Sequence, residues 1–466
     1  MKNIIFLASL FIFTSCSISS PNIEQLNYAL KKAGNNRSQL EKVLEHYKGD
    51  SLKTEAARFL IKNMIYHFGY YGQEKIDDIT SVSADYLINN IDLAFQVWPK
   101  PWNQTFSFDD FCRYILPYRA IYEQPYTLRK EFMETYVPIL DSLKIQDTFE
   151  AVMILQKMLR KRVTGTNKIP LNYPTVEEVC QTGHGRCDGI VLFGVSLMRA
   201  AGIPAVTEHT VWTHRNSEHY WCAFLNQDGK YYPFAPEYEG PDSLKYNLMK
   251  PFITPTKIYR LEFSPLHPKR IESTDNYRTF LKNPLLTDAT DQYLTPVTDI
   301  QILSDFPYDS PKGVIYLCAY NNNHWRPIDI SERNGAECVF TNIVGDNIFI
   351  IAEYSEQAEN LHFLTYPFYV DREGYISKIK PNPLKKESLR IPLNNIYYTE
   401  VPQTMYVWEQ EKESFMRMDF PINTSSTEII IKEIPQGSLL KAIMSRPYYP
   451  AEDRIFIIKN DTLKRY

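Results

Sequence analysis

The chain has 466 residues, a formal net charge of −4 and 14% aromatic residues. This length is enough for several hydrophobic cores, so we expect two to four domains. The slightly acidic balance, without any basic stretch, argues against a nucleic-acid partner.

The amino terminus has the pattern of a lipoprotein signal. A short positive start at Met1-Lys2-Asn3 precedes an apolar segment at residues 4–13 and a lipobox-like Phe13-Thr14-Ser15-Cys16. The apolar segment is too short to span a bilayer and is typical of a cleaved signal. We expect residues 1–21 to act as signal and tether. Lipidation of Cys16 would anchor an exported protein at the periplasmic or outer-membrane face.

Residues 22–163 are predicted to form a helical domain. Within 54–68, apolar residues recur at helical spacing, and further helices are expected at 81–96, 108–116, 127–143 and 147–160. Their expected role is to pack on the next domain and to wall its groove.

The domain predicted for residues 164–290 holds the most informative motif. Gly185-Arg186-Cys187-Asp188 opens an apolar helix, which Gly202 and Pro204 end. A cysteine at a helix N-terminus faces unpaired backbone N–H groups and the positive end of the helix dipole. This position predicts a lowered thiol pKa.

A predicted strand presents a histidine to that thiol. His219 begins an alternating run to Leu225, and Asn226-Gln227-Asp228-Gly229 is a hairpin turn before a second strand at 231–234. A cysteine and a histidine brought together by the fold are sufficient for acyl transfer through a thioester. We expect an antiparallel sheet packed on the cysteine helix.

These motifs resemble the transglutaminase-like superfamily, which has a papain-like Cys-His core. The resemblance covers Cys187, the helix end from Arg199 to Ala205, His219-Tyr220-Trp221 and Tyr231-Tyr232-Pro233-Phe234-Ala235-Pro236. It implies Cys187 as nucleophile, His219 as acid and base, and no metal or organic cofactor. The helical region also resembles the leader of secreted bacterial transglutaminase-like lipoproteins.

One position departs from the family pattern. The acidic residue of the family falls on Ala235, which cannot orient an imidazole. Glu237, two positions further on, would lie on the same face if the strand continued, so it is the candidate third member. Gln181, six residues before Cys187, is a candidate oxyanion donor together with the Cys187 backbone N–H. A polar loop residue is also expected at that spacing without such a role.

A metal site is the less favoured interpretation of the nearby side chains. The set comprises His184, His209, His214, His219, Cys180 and Cys187. Its spacings of five residues fit neither one helical face nor a paired-ligand knuckle, and no H-E-x-x-H motif occurs.

The remaining chain is strand-rich. We expect a β-sandwich at 291–390, with strands at 314–320, 338–340, 347–352 and 361–364. A small β-rich module is expected at 391–466, with strands at 428–431 and 454–458. Tyr320, Trp325 and Asn321-Asn322-Asn323 suit a sugar-binding edge, although scattered aromatic residues on a sandwich are usually structural.

The sequence thus predicts an α+β protein with a helical amino-terminal region, a transglutaminase-like core and an all-β carboxy-terminal region. The favoured function is an amidase or peptidase that acts on an extracytoplasmic peptide, glycopeptide or other amide. Two alternatives stay open. One is a non-catalytic scaffold, which Ala235 favours, and the other is a lipoprotein that binds glycans through its carboxy-terminal strands.

Overall fold

The computed structural model describes most of the chain. The described residues are 21–71, 74–166, 175–212, 218–238, 240–248, 255–265, 280–307, 314–332, 337–355, 359–392, 401–425, 427–446, 449–460 and 462–465. Cys16 with the predicted signal, and also His214, lie outside these residues. The predicted α+β class is confirmed, because helices are followed by a mixed middle region and then by antiparallel sheets.

The amino-terminal region is helical. Its helices are α1 (Pro21–Lys32), α2 (Arg37–His46), α3 (Ser51–Asn63), α4 (Asp78–Ser81), α5 (Ala84–Val97), α6 (Phe108–Asp110), α7 (Arg129–Ser142) and α8 (Thr148–Arg162). A π-helix at Phe111–Ile115 continues α6, and a hairpin of β1 (Phe68–Tyr71) and β2 (Glu74–Asp77) follows α3. Polar side chains fix several starts, since Asp50, Ser83 and Asp147 each accept a backbone N–H three residues later.

The middle region is built around one helix and one sheet. Its elements are β3 (Thr164–Gly165), α9 (Val176–Thr182), β4 (His184–Gly185), α10 (Cys187–Ala200), β5 (Ala205–Trp212), β6 (Glu218–Leu225), β7 (Tyr231–Phe234), α11 (Pro241–Leu248), β8 (Pro255–Leu261), β9 (Leu286–Asp288) and α12 (Thr290–Tyr293). The sheet is antiparallel, with the strand order β7-β6-β5-β8-β9. Gly202, at a φ of +82°, follows α10 as predicted.

The helical region and the middle region share one hydrophobic core. Buried side chains of α3, α5 and α8 belong to the same cluster as α10 and as Cys222, Phe224 and Phe234 of the sheet. Polar contacts join them too. Trp102 Nε1 donates to the Ala201 carbonyl at 3.0 Å, and Arg199 donates to the Arg119 carbonyl at 2.6 Å. The amino-terminal helical region therefore helps to hold α10 in place.

The carboxy-terminal region consists of antiparallel strands. They are β10 (Val297–Leu303), β11 (Val314–Asn321), β12 (His324–Glu332), β13 (Glu337–Val344), β14 (Asn347–Ser355), β15 (Asn360–Phe363), β16 (Phe368–Val370), β17 (Ile376–Lys378), β18 (Asn382–Pro392), β19 (Val401–Glu409), β20 (Ser414–Arg417), β21 (Ile422–Thr424), β22 (Glu428–Gln436), β23 (Leu440–Arg446), β24 (Tyr449–Lys459) and β25 (Thr462–Arg465). The predicted strands are present. Strand β18 runs through residue 390 and pairs with β22, so the two predicted β units are joined by strand pairing.

The aromatic residues that suggested a sugar-binding edge are buried. Tyr320 and Trp325 are only 4% and 5% exposed, and Trp325 packs against Trp408 with ring centroids 5.9 Å apart. Asn321 is also buried and donates to the Trp212 carbonyl at 2.7 Å. These rings therefore offer no face to a sugar, and a glycan site elsewhere on these strands stays a prediction. Among the described helices, none is long and apolar enough to cross a membrane.

Candidate active site

Cys187 is the first residue of α10, and the residues before it hold it in place. Arg186 is the extended N-cap residue, and Gly185 lies in β4, which pairs in parallel with β3. A Cβ at position 185 would lie 3.2 Å from the backbone nitrogen of Ile190 in the first turn of α10. The glycine of the Gly-x-Cys motif therefore allows β4 to approach the helix start closely.

The thiol of Cys187 lies against β6 and is partly buried. Burial raises its pKa above the ordinary value of 9.0, while hydrogen bonds from the backbone N–H groups of Tyr220 and Asp188 lower it. Burial is the largest of these effects, so the predicted net lowering of the pKa is wrong. The backbone donors are present as expected, but the enclosed position outweighs them.

His219 is the second residue of β6 and lies beside the same peptide unit. The Tyr220 N–H that reaches Cys187 is bonded to the His219 carbonyl carbon, so the helix start and the histidine meet at one point of the strand. The imidazole lies on the sheet face of Trp212 and Trp221, with ring centroids 5.8 and 6.0 Å away. Tyr220 points to the other face, toward Cys187 and α10.

A tyrosine supplies a hydrogen-bond partner to the histidine. The hydroxyl of Tyr238 lies 3.1 Å from Nε2 of His219, and the Tyr238 side chain is partly open to solvent. Ala235, at the acidic position of the family pattern, is buried in the cluster that contains Trp221. The sequence interpretation missed Tyr238, because it lies beyond the strand whose alternation guided the search.

Glu237 lies in a turn and not in a continuing strand. Strand β7 ends at Phe234, and the chain turns at residues 236–238. A Cβ at Gly165 would lie 3.6 Å from a Glu237 carboxylate oxygen, and the charge of Glu237 helps to raise the pKa of Cys222, after burial as the main cause. The carboxylate thus lies near the β3–β4 pair that precedes Cys187. Its role as third member stays a prediction.

Gln181 lies in the last turn of α9 and is exposed. Its role as oxyanion donor stays a prediction, as do the roles of Cys187 and His219. The neighbouring Cys180, which is partly exposed like Cys187, accepts a hydrogen bond from Arg162 at 2.9 Å. In the part of the chain that the structure describes, no three histidine, cysteine or acidic side chains are grouped to hold a metal ion.

Comparison with known proteins places this site in a recognised domain class. Residues 140–236 match the Transglutaminase-like superfamily. This segment includes α10, β6 and β7 with Cys187, His219 and Ala235. The chain therefore contains a transglutaminase-like domain.

The solved structures that are similar to the chain include a bacterial protein and a fish protein, whereas no curated protein matches the chain. One is described as a candidate cysteine protease from Cytophaga hutchinsonii, at 17% identity and a TM-score of 0.21, covering 24% of this chain and 38% of that protein. The match thus spans well under half of that protein's length. The other is red sea bream transglutaminase, at 8% identity and a TM-score of 0.21, covering 86% of this chain and 78% of that one. Neither likeness is close enough to support an argument about activity.

Proposed function

We propose that the protein is a cysteine amidase or peptidase that cleaves an amide through a thioester on Cys187, with His219 as acid and base. The observation that carries this proposal is the meeting of the α10 N-terminus with the peptide unit of His219 and Tyr220. The match of residues 140–236 to a superfamily typified by Cys-His chemistry supports it.

The proposed reaction begins with proton transfer from the Cys187 thiol to the His219 imidazole, which requires the imidazole to turn from the sheet face of Trp212 and Trp221 toward the start of α10. The sulfur attacks the amide carbonyl carbon. The tetrahedral oxyanion accepts a hydrogen bond from the Cys187 backbone N–H, and Gln181 is the candidate second donor. His219 then gives its proton to the amide nitrogen, the C–N bond breaks and a thioester forms. Water attacks the thioester while His219 takes its proton, and release of the carboxylic acid restores the thiol.

The test uses the full chain and a library of acetylated peptides, analysed by mass spectrometry. Hydrolysis adds one water to each cleaved amide, whereas transfer to hexylamine added to the reaction gives an amine adduct. We expect hydrolysis to predominate and to be lost in both Cys187→Ala and His219→Ala. The matched control is Cys180→Ala, because this thiol is also partly exposed but bonds to Arg162.

The result that overturns the proposal is product formation that survives Cys187→Ala, or the absence of product from every peptide with the unaltered protein. Absence of product favours the scaffold alternative, in which Ala235 reflects a loss of chemistry, whereas product from Cys187→Ala shows that Cys187 is not the nucleophile. Transfer to hexylamine without hydrolysis would retain the thioester and replace the proposed acceptor.

We also propose that the protein is exported and anchored through lipid on Cys16. The support is the signal pattern of residues 1–21. Expression in a bacterial host with an alkyne fatty acid should label the protein and place it in the membrane fraction. Cys16→Ala should lose the label, and label retained by this variant would contradict the proposal.

A further inference from the structure

A cavity of about 260 Å³ lies between the five-stranded sheet of the middle region and strand β12 of the carboxy-terminal region. Strands β5 and β8 form one side of the cavity, and Phe280 and Leu281 form another. Its apolar lining consists of Val211, Phe280, Leu281, Pro327 and Ile328. Since a cavity of about 150 Å³ holds a benzene molecule, this one has room for a large side chain.

The cavity is one aromatic ring away from the candidate nucleophile. His209 lines it, and the rings of His209 and Tyr220 have centroids 4.5 Å apart. Tyr220 in turn lies beside Cys187, whose thiol accepts its backbone N–H. Burial raises the pKa of the Tyr220 phenol, and the charges of Asp188 and Cys187 add to this effect. Tyr220 therefore links the lining of the cavity to the candidate nucleophile.

The cations around the cavity are already paired. Lys257 Nζ lies 2.8 Å from both Asp288 and Asp329 and donates to the Thr341 carbonyl at 2.9 Å. Arg326 forms an ion pair with Glu218. In this group of five charged residues, three carboxylates face two cations. The site therefore does not favour an anionic ligand.

One buried polar atom of the lining has no hydrogen-bond partner among the described residues. His209 is 2% exposed, and its Nδ1 makes no hydrogen bond with any described residue. The other ring nitrogen, Nε2, lies 2.9 Å from a Glu218 carboxylate oxygen. Burial raises the pKa of Glu218, but hydrogen bonds from His209 and Arg326 outweigh burial and hold it at about 2. Glu218 is thus ionised and can only accept, so Nε2 carries a proton. In the neutral form of the ring, Nδ1 is then an acceptor.

We propose that this cavity is a side-chain pocket of the active site, which takes a large uncharged side chain from a residue next to the scissile amide. This side chain donates one hydrogen bond to Nδ1 of His209, as the hydroxyl of tyrosine does. An unpartnered buried acceptor is costly, and a donor in the ligand removes that cost. The inference rests on the proposed function, because it specifies the peptide class that the enzyme cleaves.

The test measures binding without turnover, using the full chain with Cys187→Ala. The probes are N-acetyl-tyrosine amide, N-acetyl-phenylalanine amide and N-acetyl-glycine amide, with dissociation constants from ligand-observed NMR. We expect phenylalanine to bind about 10- to 100-fold more tightly than glycine, from burial of its ring. Tyrosine should gain about fivefold over phenylalanine from the hydrogen bond.

Variants of the lining assign the effect to the cavity. Leu281→Trp and Val211→Phe each place a larger side chain in the cavity. Leu281 is partly exposed and Val211 is buried, so the test needs only the one of these two variants that folds. Either should abolish the preference for phenylalanine over glycine. His209→Leu should abolish only the gain of tyrosine over phenylalanine, and His209→Asn, which keeps an acceptor near Nδ1, should retain part of it.

The outcomes separate the pocket from the chemistry. Equal binding of the three probes, or an unchanged preference in a folded Leu281→Trp protein, overturns the pocket even if the unaltered enzyme cleaves peptides. Selective binding that the filling variants abolish supports the pocket even if no peptide is cleaved. In that case the proposed function fails and the pocket remains.

Discussion

The partner of His219 can be identified by comparing two conservative substitutions, Tyr238→Phe and Glu237→Gln. Tyr238→Phe removes the hydroxyl that lies 3.1 Å from Nε2 and leaves the ring in place. A neutral hydrogen bond contributes about 1 kcal/mol, so its loss should lower kcat/KM by about fivefold. The side chain of Tyr238 is 42% exposed, and water that replaces the hydroxyl would reduce the effect further.

A carboxylate partner would have a much larger effect. Loss of the aspartate that orients a catalytic histidine costs about 10⁴-fold in serine-protease triads. If Tyr238, and not Glu237, is the partner that orients His219, Glu237→Gln should leave kcat/KM within about twofold of the unaltered enzyme. The assay is peptide hydrolysis at saturating and limiting substrate. A large loss in Glu237→Gln, with no effect of Tyr238→Phe, would refute this reasoning and make Glu237 the third member.

Three further predictions concern packing and buried charge. Gly194→Ala places a Cβ 2.6 Å from Cγ of Pro236, so it should lower the free energy of unfolding in urea by about 1 to 3 kcal/mol. Gly240→Ala is the control, because its Cβ would have its nearest contact at 3.6 Å and should leave the stability unchanged. Equal effects of the two substitutions would contradict the argument. Asp78→Asn leaves the buried guanidinium of Arg119 without its counter-ion and should cost about 3 to 5 kcal/mol in the same assay, so a change below about 1 kcal/mol would count against a structural role for the pair. The pKa of Glu218 lies below its ordinary value of 4.5, at about 2, so its stabilising effect is complete above pH 4.5 and is lost as the pH falls toward 2. The thermal midpoint of the unaltered protein should therefore fall more steeply over this range than that of Glu218→Gln, and parallel curves would contradict the assignment.

Local signals in the sequence were sufficient for the elements that carry the site. The helix from Cys187 to the glycine stop at Gly202, and the hairpin between β6 and β7, depend on cap and turn residues that act within a few positions. The place where β7 ends depends on a distant contact, the packing of Pro236 against Gly194. No alternation pattern contains that contact, so the sequence could not determine which face Glu237 occupies.

Both faces of the sheet that contains β11 are buried, which explains why the aromatic residues considered for a sugar-binding edge lie inside the protein. In β11, Ile315 and Leu317 belong to one hydrophobic cluster, whereas Tyr316 and Tyr320 belong to another on the opposite face. Strands from the end of the chain cover the second face, as Trp408 in that cluster shows. A sandwich has one inner and one outer face per sheet, and an aromatic residue on an outer face, as Tyr320 would be, suits a sugar-binding edge. The additional layer follows from long-range pairing and could not be read from the strand itself.

The raised pKa of the candidate nucleophile predicts how its reactivity depends on pH. Burial raises the pKa of Cys187, which favours a protonated thiol at rest. We therefore expect the alkylation rate of Cys187 by iodoacetamide, measured in Cys180→Ser, to rise with pH up to and beyond 9.0, the ordinary cysteine pKa. A rate plateau that extends below neutral pH would reveal a thiolate–imidazolium pair at rest and would contradict a neutral resting site.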